Sequence, residues 1–339
     1  MAEKYIIKHE IISDLLKGEM EAGTRIAAPV NRGDKLIFDF VKSMDEIVAD
    51  YIQTEMSAKF TVFPKYEEIL HYTFKDGDIQ IEDEKDSAVP TIVYGTRPCD
   101  ARSFNILDSV FLDGHDDIFY SNRRRKTVII SLSCIKADKN CFCTSVGVSP
   151  GDTSGSDILL TDIGNSEYLA EIITPDGEKL LAPFKESLKP SEGIEKEKYL
   201  AHVPVQFSLD DLLKATESSF DNPVYQNQSL RCLGCGVCSY VCPSCSCFDI
   251  QDEVLSHTGV RIRCWDSCGF HHFTLHTSWH NPRSVQSKRW RQRIMHKFYY
   301  QPDTLKVVGC VGCGRCSRSC PADMNILDHL KTISELKND

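Results

Sequence analysis

The sequence predicts an α/β N-terminal domain with a βαβ unit, followed by a second, α-helical and cysteine-rich domain, on three observations. A strand–helix–strand pattern lies between Thr91 and Cys134. A cysteine phrase, Cys232, Cys235, Cys238, Cys242 and Pro243 (CLGCGVCSYVCP), returns as Cys310, Cys313, Cys316, Cys320 and Pro321 (CVGCGRCSRSCP). Between the two copies Trp290, Ile294 and Phe298 recur at helical spacing within Pro282–Tyr300. The phrase is the C-x2-C-x2-C-x3-C-P run of bacterial ferredoxins. The second part is therefore an α-helical ferredoxin-type two-cluster domain. The domains are placed at residues 1–220 and 221–339, with Asp221-Asn222-Pro223 as the boundary.

The N-terminal elements follow in order. Ile11, Ile12, Leu15 and Leu16 repeat at helical spacing and predict a helix over His9–Lys17. Strands are expected at Lys35–Phe40 and Asp78–Ile81. Thr91–Gly95 (TIVYG) reads as a buried strand, Thr96-Arg97-Pro98 as a turn, and Asp100–Leu112 as a helix with Phe104, Leu107 and Phe111 on one face. Lys126–Cys134 (KTVIISLSC) is apolar enough for a strand covered on both sides. The two strands run parallel through the helical crossover. Residues 157–182 read as a small β element with a Pro175-Asp176-Gly177 turn, Glu186–Lys198 as a polar surface loop and Ser208–Thr216 as a helix.

Spacing gives the phrases their chemistry. Three thiolates two residues apart can wrap one corner of a cubane. The fourth lies a helical turn further on and faces a second cluster. Two [4Fe–4S] clusters with exchanged ligands are expected, one on Cys232, Cys235, Cys238 and Cys320, the other on Cys310, Cys313, Cys316 and Cys242.

Eight cysteines remain of the sixteen. Cys99 follows one strand of the βαβ unit, Cys134 ends the next, and Cys141 and Cys143 return on the following loop. Both strand ends open at the carboxyl edge of the sheet, where α/β proteins place their sites. A third cluster on Cys99, Cys134, Cys141 and Cys143 is expected; a four-thiolate zinc or inert buried thiols are the alternatives. Cys245, Cys247, Cys264 and Cys268 lie near the first phrase and are candidate extra ligands, for a further cluster, as a replacement ligand or as shielding. His271, His272, His276 and His280 read as a helix face or surface rather than a metal site. Arg283, Lys288, Arg289, Arg291, Arg293 and Lys297 form a basic run, read as a solvated helix face, a docking site for an acidic partner or a set of charges that tunes cluster potential.

Composition sets limits. With 49 acidic against 39 basic residues, the net charge is −10, which disfavours nucleic acid as a partner. The first twenty residues hold no apolar core of signal-peptide length, and no stretch nears the roughly eighteen apolar residues of a membrane span. Cysteine-rich and without an export signal, the chain is expected in the cytoplasm, its thiols serving metal or redox chemistry. No G-x-G-x-x-G follows a strand and no Walker loop is present, so no flavin or nucleotide is expected on this chain.

Arg97-Pro98-Cys99-Asp100, Cys134, CFCTSVG (Cys141–Gly147), CLGCGVCSYVCPSCSCF and CVGCGRCSRSCP, in that order, resemble the A-type subunits of anaerobic sulfite reductases and the β subunits of cytoplasmic NiFe (sulf)hydrogenases. The resemblance spans residues 90 to 325; residues 1–85 match no motif. It implies a subunit that relays electrons between a flavin- and NAD(P)H-binding diaphorase subunit and a catalytic or acceptor subunit of sulfite reductase, NiFe hydrogenase or heterodisulfide reductase type. It implies no catalytic residue on the chain itself. The competing readings are a flavin-dependent reductase with built-in clusters and a structural or sensing iron–sulfur protein. The terminal acceptor is not written in these residues.

Overall fold

A computed structural model of the chain describes residues 3–83 and 88–336. Its strands are β1 (Glu3–Lys8), β2 (Arg25–Arg32), β3 (Lys35–Phe40), β4 (Tyr66–Lys75), β5 (Asp78–Asp83), β6 (Thr91–Thr96), β7 (Thr127–Leu132), β8 (Ile158–Gly164), β9 (Glu167–Ile172), β10 (Lys189–Pro190), β11 (Phe248–Leu255) and β12 (Thr258–Trp265). Among the described residues they form two sheets.

The first has the order β10-β1-β9-β8-β7-β6-β2-β3. Its centre, β8-β7-β6-β2, is parallel, with Ile92 opposite Val128 and Ile130 opposite Ile158. Every residue of β6 is buried, as a parallel strand covered on both faces requires. Alternate residues serve opposite faces. Ile92, Ile130 and Leu160 pack with Ile12, Leu15 and Leu16 of helix His9–Glu21. Val93 and Ile129 pack with Phe104, Leu107 and Phe111 of helix Pro98–Phe111, which crosses from β6 to β7. The expected βαβ unit is thus present.

Three local expectations change. The helix begins at Pro98, whose missing N–H costs nothing at the first helical position, so Cys99 sits in its first turn rather than in the preceding loop. Residues 158–172 are not a separate β element, because β8 and β9 join the main sheet. Pro175-Asp176-Gly177 opens helix Pro175–Leu181 instead of forming a turn, since the Thr174 side chain accepts the Gly177 N–H and caps the helix.

The second sheet, β11-β12-β4-β5, is antiparallel and joins a hairpin from each half of the chain. The cysteine-rich half is therefore not purely helical. Arg263 on β12 binds Glu67 on β4 and Asp117, fastening the two halves through a buried ion pair. Helices Leu209–Ser218, Gln286–Met295 and Ile326–Ser334 enclose a third core holding Leu212, Trp290, Ile294, Phe298 and Leu330. Burying each large side chain of the expected Trp290, Ile294, Phe298 stripe contributes about 1.5–3 kcal/mol. No helix among the described residues is long and apolar enough to cross a membrane.

Candidate iron–sulfur sites

Each cysteine phrase begins as a loop and ends as one short helix, Val237–Tyr240 in the first and Arg315–Arg318 in the second. In both, the two glycines take positive φ: +68° and +72° at Gly234 and Gly236, +64° and +72° at Gly312 and Gly314. This turns the loop back on itself, the kind of backbone that can aim successive N–H groups into an anion-binding concavity. The two short helices pack against each other, bringing the last cysteine of each phrase towards the other loop.

Cys232, Cys235, Cys238 and Cys320 line one pocket, with Cys268 and Cys316 on its wall. The Gln286 amide donates to Cys232 Sγ at 3.0 Å, and the Met324 N–H to Cys320 Sγ at 3.3 Å. Cys242 is an electrostatic neighbour of Cys310, Cys313 and Cys316.

The βαβ thiols meet as well. Cys134 is an electrostatic neighbour of Cys99, Cys141 and Cys143, and Cys141 of Cys143. This group lies against the second phrase. Cys99 packs with Val311 and Cys313, and the Phe142 N–H donates to the Gly312 carbonyl at 2.9 Å. Arg318 Nη2 donates to both Asp138 (2.6 Å) and Cys141 Sγ (3.3 Å).

Burial pushes these thiols up, to about 11 at Cys134 and Cys313 and about 12 at Cys143 and Cys316. Such thiols bind metal only by losing protons to it. No three His, Cys, Asp or Glu side chains among the described residues converge on a single-ion geometry. Zinc requires thiolates within about 2.3 Å of one point, whereas a cubane spreads its ligands over separate irons. The thiol groups fit iron–sulfur clusters.

Four cations stand at the thiols, of which the sequence singles out only Arg293 and Lys297, through the basic run. Lys59, Arg293, Lys297 and Arg315 are all buried. Arg293 and Lys297 belong to the basic run, so that run is not wholly a solvated face: helix Gln286–Met295 turns Arg293 inwards, and its continuation does the same for Lys297. Arg315, inside the phrase C-G-R-C, pairs with Asp100 of R-P-C-D. Lys59 has no motif around it to announce it.

The remaining cysteines divide. Cys245 and Cys268 are buried, and the side chains of Cys247 and Cys268 lie within hydrogen-bonding reach. Cys264 stands apart on β12, its Sγ directed at the Asp249 carbonyl, with acidic residues as its charged neighbours. His271, His272, His276 and His280 are exposed on an irregular segment rather than a helix face, because only His272–Thr274 makes a helical turn there.

Comparison with known proteins gives three likenesses. Residues 231–324 match the 4Fe-4S dicluster domain family. Over 345 aligned positions the chain is 28% identical to sulfhydrogenase 2 subunit beta of Pyrococcus furiosus, covering 98% of each. A chain of the F420-reducing [NiFe] hydrogenase complex from Methanosarcina barkeri overlays with a TM-score of 0.35 at 10% identity, covering 57% of this chain and 83% of that one, a likeness too loose to place a residue.

Proposed function

We propose that this chain, which belongs to the family of NiFe (sulf)hydrogenase β-type iron–sulfur subunits, carries electrons between partner subunits of a hydrogenase-type complex. Its partners are a flavin- and NAD(P)H-binding diaphorase subunit on one side and a catalytic or acceptor subunit on the other. The observation that carries this reading is the continuity of three thiol groups, Cys232/235/238/320, Cys310/313/316/242 and Cys99/134/141/143, through one protein interior.

When bound, [4Fe–4S] clusters supply one-electron transfer. The residues do the rest. Cys316 lines the first pocket while belonging to the second ligand set, and Cys313 packs on Cys99 of the third, so adjacent sites touch through ligand side chains. Lys297 and Arg318 place positive charge and N–H donors at the Cys242 and Cys141 sulfurs, which favours the reduced, more negative state. Trp290 and Met324 form an apolar inner wall to the first pocket, while Cys235 on its outer side is exposed. We place the complex in the cytoplasm.

Flavin content of the anaerobically purified chain, followed by reduction in the presence of its co-purifying subunits, tests the reading. A flavin-free chain whose iron–sulfur absorbance bleaches on adding NAD(P)H only when the flavin-bearing subunit is present is expected. A stoichiometric flavin on the isolated chain contradicts it.

A further inference from the structure

Lys59, Arg293 and Lys297 are 3%, 4% and 3% exposed, and no carboxylate among the described residues pairs with any of them. They come from two distant parts of the chain, the turn Ala58–Thr61 and helix Gln286–Met295 with its continuation. Lys59 Nζ donates to the carbonyls of Cys245 (2.9 Å) and Ser239 (3.3 Å). Arg293 donates to Cys245 Sγ (3.8 Å) and the Cys238 carbonyl (3.0 Å), leaving its Nε buried without a partner. Lys297 donates to Cys242 Sγ (3.5 Å), Ser244 Oγ (3.2 Å) and the Gly309 carbonyl.

Carbonyls and neutral thiols satisfy hydrogen bonds but do not neutralise buried charge, which requires a counter-charge. Around Arg293 and Lys297 that counter-charge falls partly to Cys238, Cys242, Cys310 and Cys316 of the ferredoxin-type sets and partly to Cys245. Cys242 is committed to the second ligand set. Cys245, Cys247 and Cys268 are committed to none. Cys245 touches Cys242, and Cys247 touches Cys268. Burial pulls the Lys59 ammonium down to about 8, opposed by the neighbouring Cys245, Cys242 and Cys247 sulfurs.

We propose that Cys245, Cys247 and Cys268 hold a further iron–sulfur cluster on three thiolates, with Lys59, Arg293 and Lys297 as its buried counter-charge and Cys264 no part of it. Three thiolates complete a three-iron cluster and leave one iron of a four-iron cluster without protein sulfur. Cys238 and Cys242 belong to the two ferredoxin-type sets; Arg293 joins the first to the new site through the Cys238 carbonyl and Cys245, and the Cys242–Cys245 contact joins the second. The proposal goes beyond the relay above, which needs only the other three sites.

Native mass spectrometry of the full chain, kept anaerobic, counts clusters directly. One cluster more than the three relay sites is expected, with that one lost in the Cys247→Ser/Cys268→Ser double variant and retained in Cys264→Ser. A mild oxidant should produce a three-iron EPR signal that the double variant lacks. If the unmodified chain carries only three clusters, or if the extra one survives in the double variant, this site is refuted and the relay stands. Two clusters or fewer would refute both. Because the first count uses the unmodified chain, a variant that fails to fold does not protect the proposal.

Discussion

Arg315, inside the second cysteine phrase, forms an ion pair with Asp100, the residue after Cys99, and each side chain is 1% exposed. Arg315 Nη2 lies 2.8 Å from Asp100 Oδ2 and 2.8 Å from Thr54 Oγ1. The pair locks the second phrase onto the helix that carries Cys99. Attraction to Asp100 and to the Cys313 and Cys99 sulfurs outweighs burial and keeps the guanidinium charged.

Removing one member leaves the other buried and unpaired, at a cost of roughly 3–5 kcal/mol. Arg315→Met should lower unfolding free energy by that amount in anaerobic denaturant titrations. Asp100→Asn combined with Arg315→Met should recover part of it. Equal loss in the single and double variants would show that the pair is not coupled.

Gly312→Ala tests the seam between the second and third sites. A Cβ there would stand 2.5 Å from both the N and Cα of Cys143, and φ is +64°. Neither obstacle is a flexible side-chain end. The variant should lose iron at the third site and weaken the second while leaving the first, which EPR of the reduced chain would resolve. Unchanged spectra would mean the seam does not support those ligands.

Much of this was legible from sequence, for reasons that differ by element. The βαβ unit showed because β6 and β7 are covered on both faces and must be apolar throughout. The ferredoxin-type loops showed because their spacing is set by the chemistry of the ligands. Stripe residues Trp290, Ile294 and Phe298 showed through period alone. Lys59 did not, since a lysine buried 186 positions away from the carbonyl it binds leaves no local pattern. Nor did the β11–β12 hairpin, whose partner strand β4 lies in the other half of the sequence. The Pro175-Asp176-Gly177 helix start was hidden because the same residues serve turns and capped helices equally well.

Crossed ligation makes a distinctive demand on Cys320→Ser. The site that suffers should be the one built on Cys232, Cys235 and Cys238, although Cys316 is nearer in sequence. Cys242→Ser should do the converse. Iron counting with EPR after each change checks this; damage confined to the neighbouring Cys310 set in Cys320→Ser would contradict it.

Loading of the third site should depend on pH. Burial holds Cys134 at about 11 and Cys143 at about 12 in the cluster-free chain, so both are protonated at neutral pH. Below those values the thiolate fraction rises tenfold per pH unit, and metal uptake releases the protons. Anaerobic reconstitution of the full chain should therefore accelerate at this site as pH rises from about 7 towards 9. A flat profile would mean that thiol deprotonation does not limit loading.

The relay itself is tested most directly by freeze-quench EPR of the assembled complex after mixing with reduced pyridine nucleotide. All three thiol groups should show reduced-cluster signals within one turnover. In Cys134→Ser the third signal should vanish and electron delivery to the acceptor subunit should fall, while the two ferredoxin-type sites stay intact. If the clusters remain oxidised through turnover, or if delivery is unchanged when a site is lost, this chain is not the path the electrons take.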